Sequence, residues 1–98
     1  MSEMTRSVLV TGGCGFLGTH VVRQLVGSGH SVTVFDDLSN GKVKRIAREI
    51  ELGTRVVVGD VTNRSQVREV MTQVRPWGVV HLAGPVNLLE SVNDPDKY

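Results

Sequence analysis

Cysteine occurs once in these 98 residues, so no disulfide can close within the chain, and a reducing cytoplasm is its natural compartment. No apolar stretch approaches the roughly 20 residues that span a bilayer. Met1 to Arg6 lack the apolar core of a secretory signal and read as a short disordered lead. Charge of neither sign dominates: 11 Lys and Arg stand against 10 Asp and Glu. The formal balance of +1 points to neither a nucleic acid nor a membrane surface as main partner. The Gly-x-x-x-x-Gly-Lys-Ser/Thr pattern of P-loop nucleotide hydrolases is missing, and no Cys or His spacing suits zinc. Repeats at solenoid periods, low-complexity tracts and linkers are also absent. What remains is an ordinary globular composition, 40% apolar and 21% charged, of a length for one small domain or part of one.

Against that plain background one segment stands out. The apolar run Val8-Leu9-Val10 leads into Thr11-Gly12-Gly13-Cys14-Gly15-Phe16-Leu17-Gly18. A strand followed by glycines at three-residue spacing, opening a helix, is how a chain holds a dinucleotide pyrophosphate. Gly12 suits the tight turn out of the strand, Gly15 leaves no side chain between backbone and phosphates, and Gly18 lets the helix pack close to the sheet. The first N–H groups of that helix have no partner inside it and face the anion. Cys14 sits at the same helix start. It is either a thiol activated by the helix terminus or simply a small residue tolerated beside the phosphates.

Leu17, Val21, Val22, Leu25 and Val26 then fall on one helical face, and Gly29 is placed to end the helix. Ser31-Val32-Thr33-Val34-Phe35 reads as a second strand finishing at Asp36. An acid at that tip, roughly 20 residues past the glycines, hydrogen-bonds adenosine ribose hydroxyls and repels a 2′-phosphate, which favours NAD over NADP. The bland alternative for Asp36 is a solvated turn residue, against which the strand-glycine-helix-strand order favours the cofactor role.

Val43, Ile46, Ala47 and Ile50 predict an amphipathic helix, with Lys44, Arg45, Arg48 and Glu49 on its solvated face. Arg55 to Gly59 predicts a third strand, ending in Asp60. Asn63 caps the next helix, with Gln66 as its reciprocal partner, and Val67, Val70, Met71 and Val74 form its apolar stripe. Pro76 stops it. Trp77 to Leu82 predicts a fourth strand, broken by Ala83-Gly84-Pro85, and a short helix follows over Leu88 to Val92. His81 reads as a packed strand histidine. Strands apolar on both faces and alternating with helices define an α/β fold: a Rossmann-type parallel sheet with helices on both faces, of which four strands in the order 3-2-1-4 make the first half. Residues 1–98 are thus expected to be the N-terminal part of one dinucleotide-binding domain. The outer edge of its fourth strand would be covered by a further half or by a second copy.

Val10 to Gly18, Phe35-Asp36-Asp37-Leu38-Ser39-Asn40-Gly41, Gly59-Asp60-Val61, Val80-His81-Leu82-Ala83-Gly84 and Glu90-Ser91-Val92 together resemble the extended short-chain dehydrogenase/reductase family. Residues 36–41 are most similar to those of UDP-glucose 4-epimerases. The resemblance runs from Ser7 to Tyr98, about the first third of a family member. It departs at Val86, where many 4-epimerases carry a lysine. It implies NAD as cofactor, with Phe16 and Leu17 offering backbone N–H groups to the pyrophosphate and Asp36 holding the adenosine ribose. Asp37, Ser39, Asn40 and Gly41 would line the adenosine side. Asp60 and Val61 would flank the adenine, although Asp60 alone also suits a helix entry. Leu82, Ala83 and Gly84 would run beside the cofactor. The family's Tyr-x-x-x-Lys base is not among these residues, Tyr98 being the last. The expectation is therefore an NAD-binding portion of a UDP-sugar epimerase that does not turn over alone, with the nucleotide-sugar engaged only by a full-length parent. Two alternatives stay open: a stand-alone NAD-binding module or half of a split enzyme, and a piece of a sugar-nucleotide dehydratase or decarboxylase.

Overall fold

A computed structural model describes residues 5–39 and 41–83. Strand β1 (Ser7–Thr11) is followed by helix α1 (Phe16–Gly27) and strand β2 (Ser31–Asp36). A 3-10 turn over Val43–Ile46 then runs into the short helix α2 (Ala47–Glu51). Strand β3 (Arg55–Val58), helix α3 (Arg64–Val74) and strand β4 (Gly78–His81) complete the order. The strands pair in parallel in the order β3-β2-β1-β4, as the alternation of strands and helices predicts.

Side chains alternate across the sheet and build a core on each face. Val8, Val10, Val32 and Val34 pack with Val22 of α1 and Ile46 on one face. Leu9 and Phe35 pack with Val67 and Val70 of α3 on the other. Burying the sheet from both sides is what a parallel arrangement requires. It also leaves the carboxyl ends of β1, β2 and β3 and the segment after β4 facing one crevice.

Several local expectations are corrected. Leu17 does not join the buried face of α1: it is 61% exposed and Phe16 is 79% exposed, while Gly18, Thr19 and Val22 are buried. Leu17 lies one residue ahead of Gly18, about 100° around the helix, which turns it outward. The stripe over Val43, Ile46, Ala47 and Ile50 does not act as one helix face either. Only Ile46 is fully buried, and Glu49, assigned to the solvated face, is 6% exposed. The 3-10 turn advances about 120° per residue rather than 100°, so the register changes at Ile46 and rotates Glu49 inward. There its carboxylate lies 3.9 Å from Nε of Arg23 on α1.

Arg6 is part of the fold rather than of a loose lead. Its carbonyl accepts from Ser31 N–H, its N–H donates to His30 Nδ1, and its guanidinium lies 4.2 Å above the Trp77 ring. Asn63 caps α3 by accepting from Gln66 N–H at 3.1 Å, but the reciprocal bond goes elsewhere. The Gln66 side chain reaches back to Asp60 N–H at 2.7 Å, tying the helix to the end of β3. Arg75 closes α3 in the left-handed region, immediately before Pro76. The helix expected over Leu88 to Val92 lies outside the described residues.

Candidate cofactor cleft

The turn after β1 is built in layers. Gly12 has φ +75°, and its N–H donates to the Phe35 carbonyl at 3.0 Å, which ties the turn to β2. A Cβ on Gly18 would overlap the Gly12 carbonyl, and one on Gly13 would strike the methyls of Val34, so both glycines serve packing. Gly15 differs. It has ordinary extended dihedrals (φ −78°, ψ 178°), and an added Cβ would meet only Gly12 O, at 3.4 Å. The protein itself does not need a glycine at 15; the space it leaves lies open in the cleft. Gly15 is also the N-cap of α1, and no side chain caps the helix. The first intrahelical bond runs from Thr19 N–H to Gly15 O at 2.9 Å, so the N–H groups of Phe16, Leu17 and Gly18 have no acceptor within the helix. An uncapped terminus with no acid in its first turn favours an anion.

Asp36, at the tip of β2, is 6% exposed. Its Oδ2 accepts from Cys14 N–H at 3.0 Å and its Oδ1 from Leu38 N–H at 2.8 Å. The carboxylate thus joins the glycine turn to the next loop, where Leu38 sits at φ +65°. Each oxygen keeps a lone pair for a donor from the cleft. Lys42 N–H and the Arg45 guanidinium both donate to the Cys14 carbonyl, at 3.1 and 3.3 Å, and Arg23 donates to the Arg45 carbonyl at 3.0 Å. Both polar groups of the Cys14 backbone are therefore held by the segment 36–45. Gly41 permits the approach, since a Cβ there would come within 2.9 Å of the Cys14 Cβ. Burial, and then the Asp36 carboxylate, push the Cys14 thiol up to about 11, with Arg45 opposing. The activated-thiol alternative fails, and Cys14 is a small core residue.

Asp37 and Asp60 close matching local turns. Asp37 Oδ1 accepts from Ser39 N–H and Oγ at 2.9 and 2.7 Å, which lowers its carboxyl below the usual range. Asp60 Oδ1 accepts from Thr62 N–H and Oγ1 at 2.8 and 2.7 Å. These turns fix the loops after β2 and β3 as walls of one cleft.

The cleft has a volume of about 290 Å³, near the lower end of the ~300–1,000 Å³ typical of ligand pockets. Gly12, Gly15, Asp36, Asp37, Ser39, Gly41, Asp60, Val61, Leu82 and Ala83 line it. Phe16, Leu17 and Gly18 do not, and stand at the helix mouth beside it. Asn40 and Gly84 lie outside the described residues. Sequence reasoning missed three lining residues, Phe35, Gly59 and Thr62. Gly59 had a readable signal, because a glycine directly before a strand-end acid marks a close approach; a Cβ there would enter the Phe35 ring. Among the described residues no three His, Cys, Asp or Glu side chains come together as metal ligands, and no helix is long and apolar enough to cross a membrane.

A parallel sheet of order 3-2-1-4, with an uncapped helix after a glycine turn and a strand-tip acid in the same crevice, defines a dinucleotide-binding α/β protein. Residues 8–98 match the NAD dependent epimerase/dehydratase family, and the chain belongs to that family. It is 36% identical to a bifunctional UDP-glucose 4-epimerase and UDP-xylose 4-epimerase of Arabidopsis thaliana, over 99% of this chain and 30% of that protein. It is 35% identical to a UDP-glucose 4-epimerase of Neisseria meningitidis, over 95% of this chain and 28% of that one. The UDP-glucose 4-epimerase of Brucella ovis in complex with NAD superposes with a TM-score of 0.73 at 35% identity, covering 96% of this chain and 27% of that structure. The chain spans about 30% of the length of the curated relatives it matches, and it aligns with their N-terminal region.

Proposed function

We propose that this chain binds NAD through its adenosine diphosphate half, as the N-terminal portion of a UDP-sugar 4-epimerase. The observation that carries this reading is Gly15: a glycine that packing does not require, at an uncapped helix terminus, opening on the cleft that Asp36 also lines. The N–H groups of Phe16, Leu17 and Gly18 would hold the pyrophosphate. Asp36 would accept from the ribose hydroxyls with the lone pairs left by Cys14 and Leu38. Asp37, Ser39 and Gly41 would bound the adenosine, and Asp60 and Val61 the adenine. Leu82 and Ala83, past the end of β4, would support the second half of the dinucleotide, which crosses where the strand order reverses. Bound NAD would supply hydride-accepting chemistry for transient oxidation of a sugar carbon. The part played by these residues is to grip and orient the cofactor. The resemblance to UDP-glucose 4-epimerases supports a UDP-sugar as substrate of the whole enzyme. The single buried thiol of Cys14 supports a reducing, cytoplasmic setting.

Isothermal calorimetry with NAD and NADP tests this reading. NAD is expected to bind, with NADP at least about tenfold weaker, because a 2′-phosphate would meet the Asp36 carboxylate in a partly buried setting. NADP binding as tightly as NAD would refute the ribose assignment.

A further inference from the structure

Thr11 and His81 are register partners at the carboxyl ends of β1 and β4, far apart in sequence. Thr11 is fully buried, and its Oγ1 lies 2.7 Å from His81 Nδ1. The same oxygen accepts from Leu82 N–H at 3.0 Å and from Ala83 N–H at 3.3 Å. A hydroxyl has two acceptor lone pairs and one proton. Both lone pairs are taken, so the proton goes to His81. Nδ1 is then the acceptor, and the other ring nitrogen, Nε2, is buried and finds no partner among the described residues.

We propose that His81 is a positioning residue for the cofactor: by accepting the Thr11 proton it turns the Thr11 lone pairs onto Leu82 and Ala83, and so sets the β4 wall of the cleft. That wall lies directly against the glycine turn. A Cβ on Gly12 would come within 3.1 Å of Leu82 and 3.2 Å of Ala83. Leu82 N–H has a second acceptor in the Thr11 carbonyl at 3.1 Å, so the contact that depends on the hydroxyl is the one to Ala83. Losing the acceptor at 81 frees the hydroxyl to rotate and releases the Ala83 end of the wall. This inference rests on the cofactor reading above, because the β4 wall matters only to a ligand that crosses from β2 to β4.

Two measurements on the protein test it. Nitrogen-15 NMR of the histidine rings at neutral pH is expected to show His81 with Nδ1 unprotonated and Nε2 protonated. The opposite tautomer, or an imidazolium, overturns the proposal without any ligand present. Calorimetry with NAD and ADP then compares His81→Leu with His81→Asn, whose Oδ1 is an acceptor in the place of Nδ1. His81→Leu is expected to weaken NAD about threefold to tenfold, the equivalent of one hydrogen bond, while ADP binding stays unchanged and His81→Asn restores NAD affinity. Equal losses for NAD and ADP, or the same NAD affinity in both variants, overturn it. Failure of the unsubstituted protein to bind either nucleotide counts against the cofactor reading alone, and the NMR result still decides the hydrogen-bond assignment.

Discussion

Replacing Gly15 by alanine separates what the fold needs from what a ligand needs. The backbone there is open to any residue, and the new methyl would touch only Gly12 O at 3.4 Å, an ordinary contact. Two small stability effects oppose each other. Alanine restricts the unfolded chain and stabilises by about 0.4–1 kcal/mol. It is also the poorer helix cap, which costs some tenths to about 1 kcal/mol. The net change is within about 0.5 kcal/mol, or a shift in Tm of at most about 4 °C. Binding behaves differently. On the proposed reading the methyl stands where the diphosphate would approach the N–H groups of α1, and forfeiting one charge-assisted hydrogen bond costs about 1.5–3 kcal/mol. NAD affinity should fall at least about tenfold. Gly18→Ala is the mirror image. Alanine gains about 0.8–1 kcal/mol of helix propensity, but its methyl overlaps the Gly12 carbonyl and lies 2.7 Å from Gly13 Cα. Backbone does not yield as a side chain does, and overpacking of this kind costs about 1–3 kcal/mol or more. A lower Tm is the expected result. Thermal melts and calorimetry on both variants decide the matter. NAD bound by Gly15→Ala as tightly as by the parent, or a Gly18→Ala protein of undiminished stability, would refute the reasoning.

Asp36→Ala should impair folding as well as binding, because it strands the buried Cys14 N–H, at a cost of about 1–3 kcal/mol, and removes the acceptor of the partly buried Leu38 N–H. Urea denaturation with an unchanged midpoint would show that the two bonds add nothing. Cys14, with its thiol raised to about 11, should resist alkylation at pH 8 in the folded protein and react once unfolded. Since its folded value lies above the ordinary 9.0, the stability tied to this group is complete below pH 9 and drains away as pH rises towards 11. A denaturation midpoint that rises over that interval would contradict the burial argument.

The sequence shows the fold most clearly where a local rule has a single structural solution. A glycine turn after Val8-Leu9-Val10, an apolar stripe at helical spacing and an acid at Asp36 can be read from neighbours in the chain. The strand order then follows from right-handed crossovers. Legibility fails where the deciding partner is remote. Glu49 looks solvated beside Arg45 and Arg48, and only the 3-10 turn and Arg23 explain its burial. Gln66 is a sound capping partner by spacing, yet Asp60 N–H offers its side chain a competing donor. Asp36 is readable from the sequence as a candidate ligand group but not as a brace for the Cys14 backbone, because that bond depends on how closely two loops approach. The Thr11–His81 pair leaves no mark at all in local sequence.

The brace at Asp36 carries a lesson for anyone wishing to redesign coenzyme preference. Exchanging an acid for a small or basic residue is the obvious way to admit a phosphorylated ribose. Here that exchange would also cut the tie between two loops, since the same two oxygens serve Cys14 and Leu38. On the proposed reading, selectivity and architecture are coupled at one side chain. A redesign would succeed only by first supplying new acceptors for those two amides.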